Sequence, residues 1–455
     1  MNLSIIILAA GLGSRMRSEL PKVLHPLANK PLIRHVVDGA LALQPHSLHV
    51  VYGHGGDQVR ATLSEFSINW VHQAEQLGTG HAVAQAMPDI IDDSMVLVLC
   101  GDVPLITAAT LEDLCSKADK DSLGILTVEL DNPQGYGRIV RNAAGEVERI
   151  VEEKDADATI KQIKEVNSGI FLIPANHLRR WLSSLNNDNA QGEYYLTDIV
   201  SLAVAENMPI FTSSAHNVYE VMGINNRVQL ATLERQYQKQ QAHKLMLDYG
   251  VTLHDPSRID IRGSVEAGHD VVIDVNVIFE GDIKLGNKVK IGSNCVIRNA
   301  TIGDGVEILT NCVIEENVVI GDNCTIGPLA RLRPGTVLAE NVKIGNFVEM
   351  KKTTVAKGSK INHLSYIGDT EIGSEVNIGA GTITCNYDGT NKHKTIIGDK
   401  AFIGSDTQLI APVTVGAGAT IGAGSTISRD TPDDTLTLSR SPQNSVPGWQ
   451  RPIKK

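Results

Sequence analysis

Three groups of residues in this sequence could do chemistry. The first is Gly11-Leu12-Gly13-Ser14-Arg15-Met16, followed by Pro21-Lys22 and preceded by an apolar run over residues 4–10. Glycines at a strand end let backbone amides approach a polyphosphate closely, and Arg15 and Lys22 could neutralise a departing pyrophosphate. Alone, Gly11-x-Gly13 also describes an ordinary strand-to-helix turn; Met16 occupies the third-glycine position of the dinucleotide fingerprint, and no GxxxxGK[ST] is present. The second group is MVLVLCGDVP over residues 95–104, where a buried strand ends in Gly101-Asp102. A carboxylate there suits Mg²⁺ beside phosphates, or the cap of a following helix. The third group is His363 with the Asn386-Tyr387 pair, Lys392, Arg331, Arg333, Lys351 and Lys352. A histidine can take an ammonium proton near neutral pH, so His363 is a candidate general base. His393 is the only other histidine in that region, which disfavours a metal centre. Cys385 sits near in sequence, and its expected role is structural.

These groups fall in segments with different patterning. Up to about residue 226, apolar runs at 4–10, 48–52, 95–100, 123–130 and 168–173 read as strands, with helical stretches such as 31–43 and 81–86 between some of them. That alternation predicts a largely parallel sheet covered on both faces. Residues 228–249 lack Gly and Pro and predict one long helix; Leu230, Leu233 and Tyr237 share a face and should pack on something. The expected domains are therefore 1–226, a helical linker 227–250, and 251–455.

From about residue 251 the beat is six. Leu285, Ile291 and Ile297 are followed, after a five-residue step, by Ile302, Ile308, Ile314, Ile320, Ile326, Leu332, Leu338, Ile344 and Met350. The beat returns at Ile397, Ile403, Leu409, Val415, Ile421 and Ile427. A period of six held this long predicts short strands coiled into a triangular β-helix, one inward aliphatic per face. About ten coils at ~4.8 Å make a prism ~48 Å long. The beat breaks around 362–368 and at TCNYDGTNKHKT over 384–395, the latter expected as an extruded loop.

Composition narrows the class. At 455 residues the chain exceeds one core, and 42% hydrophobic with 20% charged residues fits a globular protein. A net charge of −11 argues against nucleic-acid or acidic-membrane binding, without excluding local anion sites. Six cysteines with no CxxC pair suggest free thiols in a reducing compartment. The short apolar run near the start has no basic residue before it, so it does not read as a signal peptide, and a cytoplasmic location is expected.

The string LxxGxGxRM with PK after it resembles the signature of sugar-nucleotide pyrophosphorylases, with Ser14 where many members carry threonine. QAEQLGTGHA over 73–82 resembles the base-reading segment of uridylyltransferases. In both segments and in the same order, nearly the whole chain resembles the bifunctional N-acetylglucosamine-1-phosphate uridylyltransferase / glucosamine-1-phosphate acetyltransferase family. The resemblance implies a Rossmann-like α/β nucleotidyltransferase domain, then a connecting helix and a left-handed parallel β-helix of hexapeptide repeats. Implied nucleotide contacts are Leu8, Ala9, Ala10, Gly11, Lys22, Gln73, Gly78, Thr79, Gly101 and Asp102. Gly137, Glu152, Asn167, Tyr195 and Thr197 would hold N-acetylglucosamine, while Asp102 and Asn225 would bind Mg²⁺. Arg15 and Lys22 would act on phosphate and His363 as base. Arg333, Lys351, Tyr366, Asn377 and Lys392 would hold the amino-sugar phosphate; Ala380, Asn386, Tyr387, Ser405, Ala423 and Arg440 would contact acetyl-CoA.

The implied activity joins two reactions of UDP-N-acetylglucosamine synthesis, with UTP and acetyl-CoA as co-substrates, in a homotrimer. The competing reading is a monofunctional sugar-1-phosphate nucleotidylyltransferase whose prism only assembles or regulates it.

Overall fold

The computed structural model describes residues 2–53 and 55–454. Contacts divide the chain into two compact units, Met1–Tyr237 and Gln238–Lys455. The division falls inside the long helix, which spans Arg227–Asp248. Leu230, Leu233 and Tyr237 pack with Met16, Leu27 and Ile224 in the first unit, whereas Ala242 and Leu245 join the core of the second.

In the first unit β1 (Asn2–Ala9), β2 (Ser47–Tyr52), β3 (Asn69–His72), β4 (Ser94–Cys100), β5 (Leu123–Glu129), β6 (Arg138–Arg141), β7 (Val147–Val151), β8 (Glu165–Pro174) and β9 (Ile210–Ser214) form one sheet. Its order is β9-β5-β8-β4-β1-β2-β3, with β6 on β8 and β7 on β6. Pairing is parallel for β1 with β2 and β4, β2 with β3, and β5 with β9. Strand β8 runs antiparallel to both β4 and β5. An apolar run carries no direction, so its sequence could not announce that reversal.

Continuous apolar strands follow from burial on both faces. Ile5 and Ile7 pack in one cluster with Ile33, Val36 and Val37 of helix Leu32–Ala42, and Ile6 packs on the other face with Ala82 and Val83 of helix Thr79–Ala86. The parallel pairing of Leu8 with Cys100 brings two strand ends together, and the Gly101 N–H donates to the Leu8 carbonyl at 2.9 Å. The glycine-rich turn and Asp102 are therefore neighbours by register.

The second unit is a left-handed parallel β-helix. One face is an 11-stranded ladder, and the other two are joined into a 15-stranded sheet by strands that run around a corner, such as Glu349–Val355 and Tyr366–Ile372. The aliphatic beat points inward: Ile291, Ile308, Ile326, Ile344, Ile361, Ile378, Ile403 and Ile421 pair in succession and form one buried column. At the corners the chain takes positive φ, met by asparagines at 294, 311, 323 and 341, whose short polar side chains tolerate that region.

The beat holds through 362–368, where buried Ile361 and Ile367 keep the six-residue step. The departure is instead a pair of five-residue steps, Met350 to Val355 and Ile367 to Ile372, each of which shortens a coil. Ile344, Ile361 and Ile378 are register partners seventeen residues apart, where Ile326 and Ile344 are eighteen apart. The later break is an extruded hairpin between strands Ile383–Cys385 and Thr395–Ile397, with Tyr387 and Lys392 paired antiparallel. All six cysteines are free.

Inward and outward neighbours on one strand should differ sharply. Ile320→Ala, at 1% exposure, should cost about 2–5 kcal/mol of unfolding free energy. Val319→Ala, at 42% exposure, should change it by less than about 0.5 kcal/mol. Denaturant unfolding of the two variants measures the contrast, and equal losses would contradict the inward packing.

Candidate active sites

The ends of β1 and β4 open into a cleft of about 500 Å³, lined on one side by residues 8–15 and on the other by Gln73, Gly78, Thr79, Asp102 and Asn225. Gly13 has φ +62°, and a Cβ there would lie 2.6 Å from the Lys22 Cβ, so only glycine lets the turn close onto Lys22. The Lys22 ammonium is ion-paired with the Asp102 carboxylate and donates to the Asn225 Oδ1 at 3.2 Å. Arg15 donates to that same Oδ1 at 2.9 Å. Asp102 and Asn225 thus present two oxygens to one cationic group. That donor set fits Mg²⁺, which takes one or two carboxylates and fills its octahedron with phosphates and water.

The cleft wall connects to the second set of expected residues. The Leu196 N–H donates to the Thr79 Oγ1 at 3.1 Å, and the Thr197 hydroxyl donates to the Glu152 carboxylate at 3.1 Å. The Asn167 N–H donates to the Gly137 carbonyl at 2.9 Å, and Gly137 lies against Glu152. Burial, with Asp198, Asp155 and Glu193 adding to it, raises the Glu152 carboxyl above the usual range, and the Thr197 hydroxyl opposes the shift. Tyr195 is buried and its hydroxyl accepts from Gln191 at 2.9 Å. Gln76, Cys100 and Glu193 also line the cleft, although sequence reasoning gave them no role. Burial pushes the Cys100 thiol up to about 12, so it is held as a neutral thiol.

On the prism the expected residues separate into two corners. Backbone bonds stack Asn346, His363, Ala380, Ser405 and Ala423 along one: Leu364 N–H to Asn346 O at 3.0 Å, Gly381 to His363 at 3.4 Å, Asp406 to Ala380 at 2.7 Å and Gly424 to Ser405 at 2.8 Å. Arg440 lies against Gly422 and Gly424 at the end of this column. Leu329, Phe347 and Leu364 belong to the same corner with positive φ, and they are 43%, 54% and 62% exposed.

The next corner along the chain gathers cations. Arg333 donates to the Glu349 carboxylate at 2.7 Å, and Lys351 pairs in register with Gly368. Lys392 beside it, with Arg333 and Lys352, holds the Lys351 ammonium below its ordinary value. A cluster that repels its own protons is one that an anion would relieve. Over Gly368, where a Cβ would be 2.6 Å from the Tyr366 hydroxyl and 2.7 Å from the Asn386 Nδ2, the absence of a side chain leaves room for those groups. Asn386 is buried and donates to Asp369 at 2.6 Å, whereas Tyr387 is exposed on the hairpin and donates to the Gly389 carbonyl at 2.5 Å. The hairpin is tied by Asp388, whose carboxylate is held low by the Asn391 and Thr390 amides and by His393. Asn377 pairs with Lys360, at the start of the strand whose end carries His363, so one chain does not bring Asn377 to the His363 corner.

Comparison with known proteins covers both units. Residues 5–166 match the family model of the MobA-like NTP transferase domain, and residues 394–429 match the bacterial transferase hexapeptide model (six repeats). Residues 261–346 and 314–405 match the model of the GMPPB C-terminal domain. The chain is 59% identical to the bifunctional protein GlmU of Marinobacter nauticus, over 99% of each chain. It is 56% identical to that of Azoarcus sp. over 100% of both, and 55% identical to that of Aromatoleum aromaticum over 100% of this chain and 99% of the relative. With an NTP-transferase unit and a hexapeptide prism in the same order along the whole length, the chain belongs to the bifunctional GlmU family.

Proposed function

We infer that this chain catalyses two consecutive steps of UDP-N-acetylglucosamine synthesis. The prism transfers acetyl from acetyl-CoA to glucosamine-1-phosphate, and the α/β unit transfers UMP from UTP to the resulting N-acetylglucosamine-1-phosphate, releasing pyrophosphate. The observation that carries the reading is the presence of two separate cationic sites in an acidic chain: Arg15 and Lys22 at the glycine-rich turn, and Arg333, Lys351 and Lys392 on the prism.

In the α/β unit, backbone amides of residues 10–13 cradle the triphosphate, and Gln73 with the Gly78-Thr79 backbone faces the base. Glu152, Asn167 and Thr197, with the Gly137 backbone and Tyr195, hold the sugar. A phosphate oxygen of N-acetylglucosamine-1-phosphate attacks the α-phosphorus of UTP in line, and the bond to the pyrophosphate oxygen breaks. Arg15 and Lys22 take up the charge that accumulates on the departing pyrophosphate. Asp102 and Asn225 would hold Mg²⁺, which when bound neutralises phosphate charge.

On the prism, Arg333, Lys351 and Lys392 hold the sugar phosphate, with Tyr366 and Asn377 on the sugar. His363 accepts the proton of the amine as its nitrogen attacks the thioester carbonyl; the C–S bond then breaks and that proton passes to the departing sulfur, so coenzyme A leaves as the thiol. Ala380, Ser405, Ala423 and Arg440 on the His363 corner, with the Asn386-Tyr387 hairpin, receive the coenzyme.

The base and the phosphate grip lie at opposite edges of one face. We read the functional assembly as a homotrimer in which the corner of one prism meets the edge of the next, and the exposed column Leu329–Phe347–Leu364 is the surface such packing would cover. No helix among the described residues is long and apolar enough to cross a membrane, and we place the reaction in the cytoplasm.

Two assays on the full-length protein test this. Arg15→Ala and Asp102→Ala should lower pyrophosphate release from UTP and N-acetylglucosamine-1-phosphate by at least about 10²-fold, leaving thiol release from acetyl-CoA intact. His363→Ala should do the reverse. Full activity in these variants, or equal loss of both activities in each, would refute the assignment. Phe347→Asp should shift the mass seen by light scattering from three chains to one and remove acetyl transfer alone; a trimer of unchanged activity would overturn the shared-site reading.

A further inference from the structure

The face that carries His363 departs from its own pattern at one place. Its ladder is built of two-residue strands, such as Thr325–Ile326 and Asn377–Ile378, except for Lys343–Asn346 and Lys360–His363, which have four. The extra pairing joins Asn346 to His363 as register partners at the end of the ladder. There the Asn346 Oδ1 lies 2.7 Å from the His363 Nδ1. A carboxamide oxygen only accepts, so this contact requires the imidazole to carry its proton on Nδ1 and leaves the Nε2 lone pair as the basic site. The backbone adds to the hold: Ser365 Oγ donates to the His363 carbonyl at 2.8 Å, and the Leu364 N–H donates to the Asn346 carbonyl.

We propose that Asn346 is a positioning residue for acetyl transfer, fixing the Nδ1–H tautomer and the ring orientation of His363 so that Nε2 faces the amine. The proposal rests on His363 being the general base. Asn346 touches neither reacting atom; its effect is carried by one hydrogen bond and by the lengthened pair of strands that sets the register. Leucine at 346 keeps the approximate volume and deletes the acceptor, while aspartate keeps an acceptor at the same distance.

The experiment uses the full-length protein with acetyl-CoA and glucosamine-1-phosphate, with pyrophosphate release from the α/β unit as the control for folding. Asn346→Leu should lower kcat for acetyl transfer at least tenfold, within the roughly 10²–10⁴-fold that a positioned base supplies, while KM for both substrates stays within about twofold. Asn346→Asp should restore kcat to within a few-fold of the parent. A Leu variant with normal kcat overturns the proposal, as does one whose loss lies in KM, and so does an Asp variant as slow as the Leu variant. The underlying reading fails separately: if His363→Ala retains acetyl transfer, there is no base to position, and the proposal falls with it whatever the Asn346 variants do.

Discussion

Parallel register is the constraint on which both units depend. In a parallel ladder each residue has a fixed neighbour on the next strand, and side-chain alternation forbids a slip of one without turning the strand inside out. Pairing of Leu8 with Cys100 places the glycine-rich turn beside Asp102, although ninety residues separate them. Pairing of Ile344 with Ile361 and Ile378 does the same for Asn346, His363 and Ala380. Neither site is built on a loop that folds by itself. Each is positioned by strands whose apolar side chains are held in place by burial on both sides of the sheet or inside the prism.

Electrostatics act locally against the overall charge. The chain is acidic, yet each candidate site gathers cations at a point where the backbone is already constrained. In the α/β unit, Lys22 is neutralised by Asp102 and shares Asn225 with Arg15, so its charge is balanced until a phosphate or a metal ion competes for those partners. On the prism, Glu349 offsets Arg333, while Lys351 and Lys392 face each other. In the first arrangement opposite charges are already paired; in the second like charges are held together, and an anion placed there would relieve them.

Much of this was legible in the sequence because two periods are hard to counterfeit. Strand residues 4–10 and 95–100, helix 31–43 and the six-residue beat each appear within a residue or two of where the pattern puts them. The direction of β8 was not legible, since an apolar run reads the same both ways. Nor was Asn346. The hexapeptide beat marks only inward positions, and corner residues carry no periodic signal beyond a tolerance for positive φ. Gln191, which holds the Tyr195 hydroxyl, sits in a polar stretch where no spacing distinguishes it. The meeting of Arg333, Lys351 and Lys392 depends on an extruded hairpin whose path the composition could flag but not trace.

The coils of seventeen residues have an effect on how such a molecule can change. A prism in which each coil touches only the next works as a ruler graduated in coils. Whole coils inserted or removed well before residue 344 would move the His363 corner along the axis by about 4.8 Å per coil and leave its lateral neighbours as they were. A one- or two-residue insertion within 344–378 is different in kind, because it would break the continuous register in which these two coils pair on both sides of the His363 corner. Evolution can therefore set the height of this corner freely, while its composition of neighbours is locked to two particular coils.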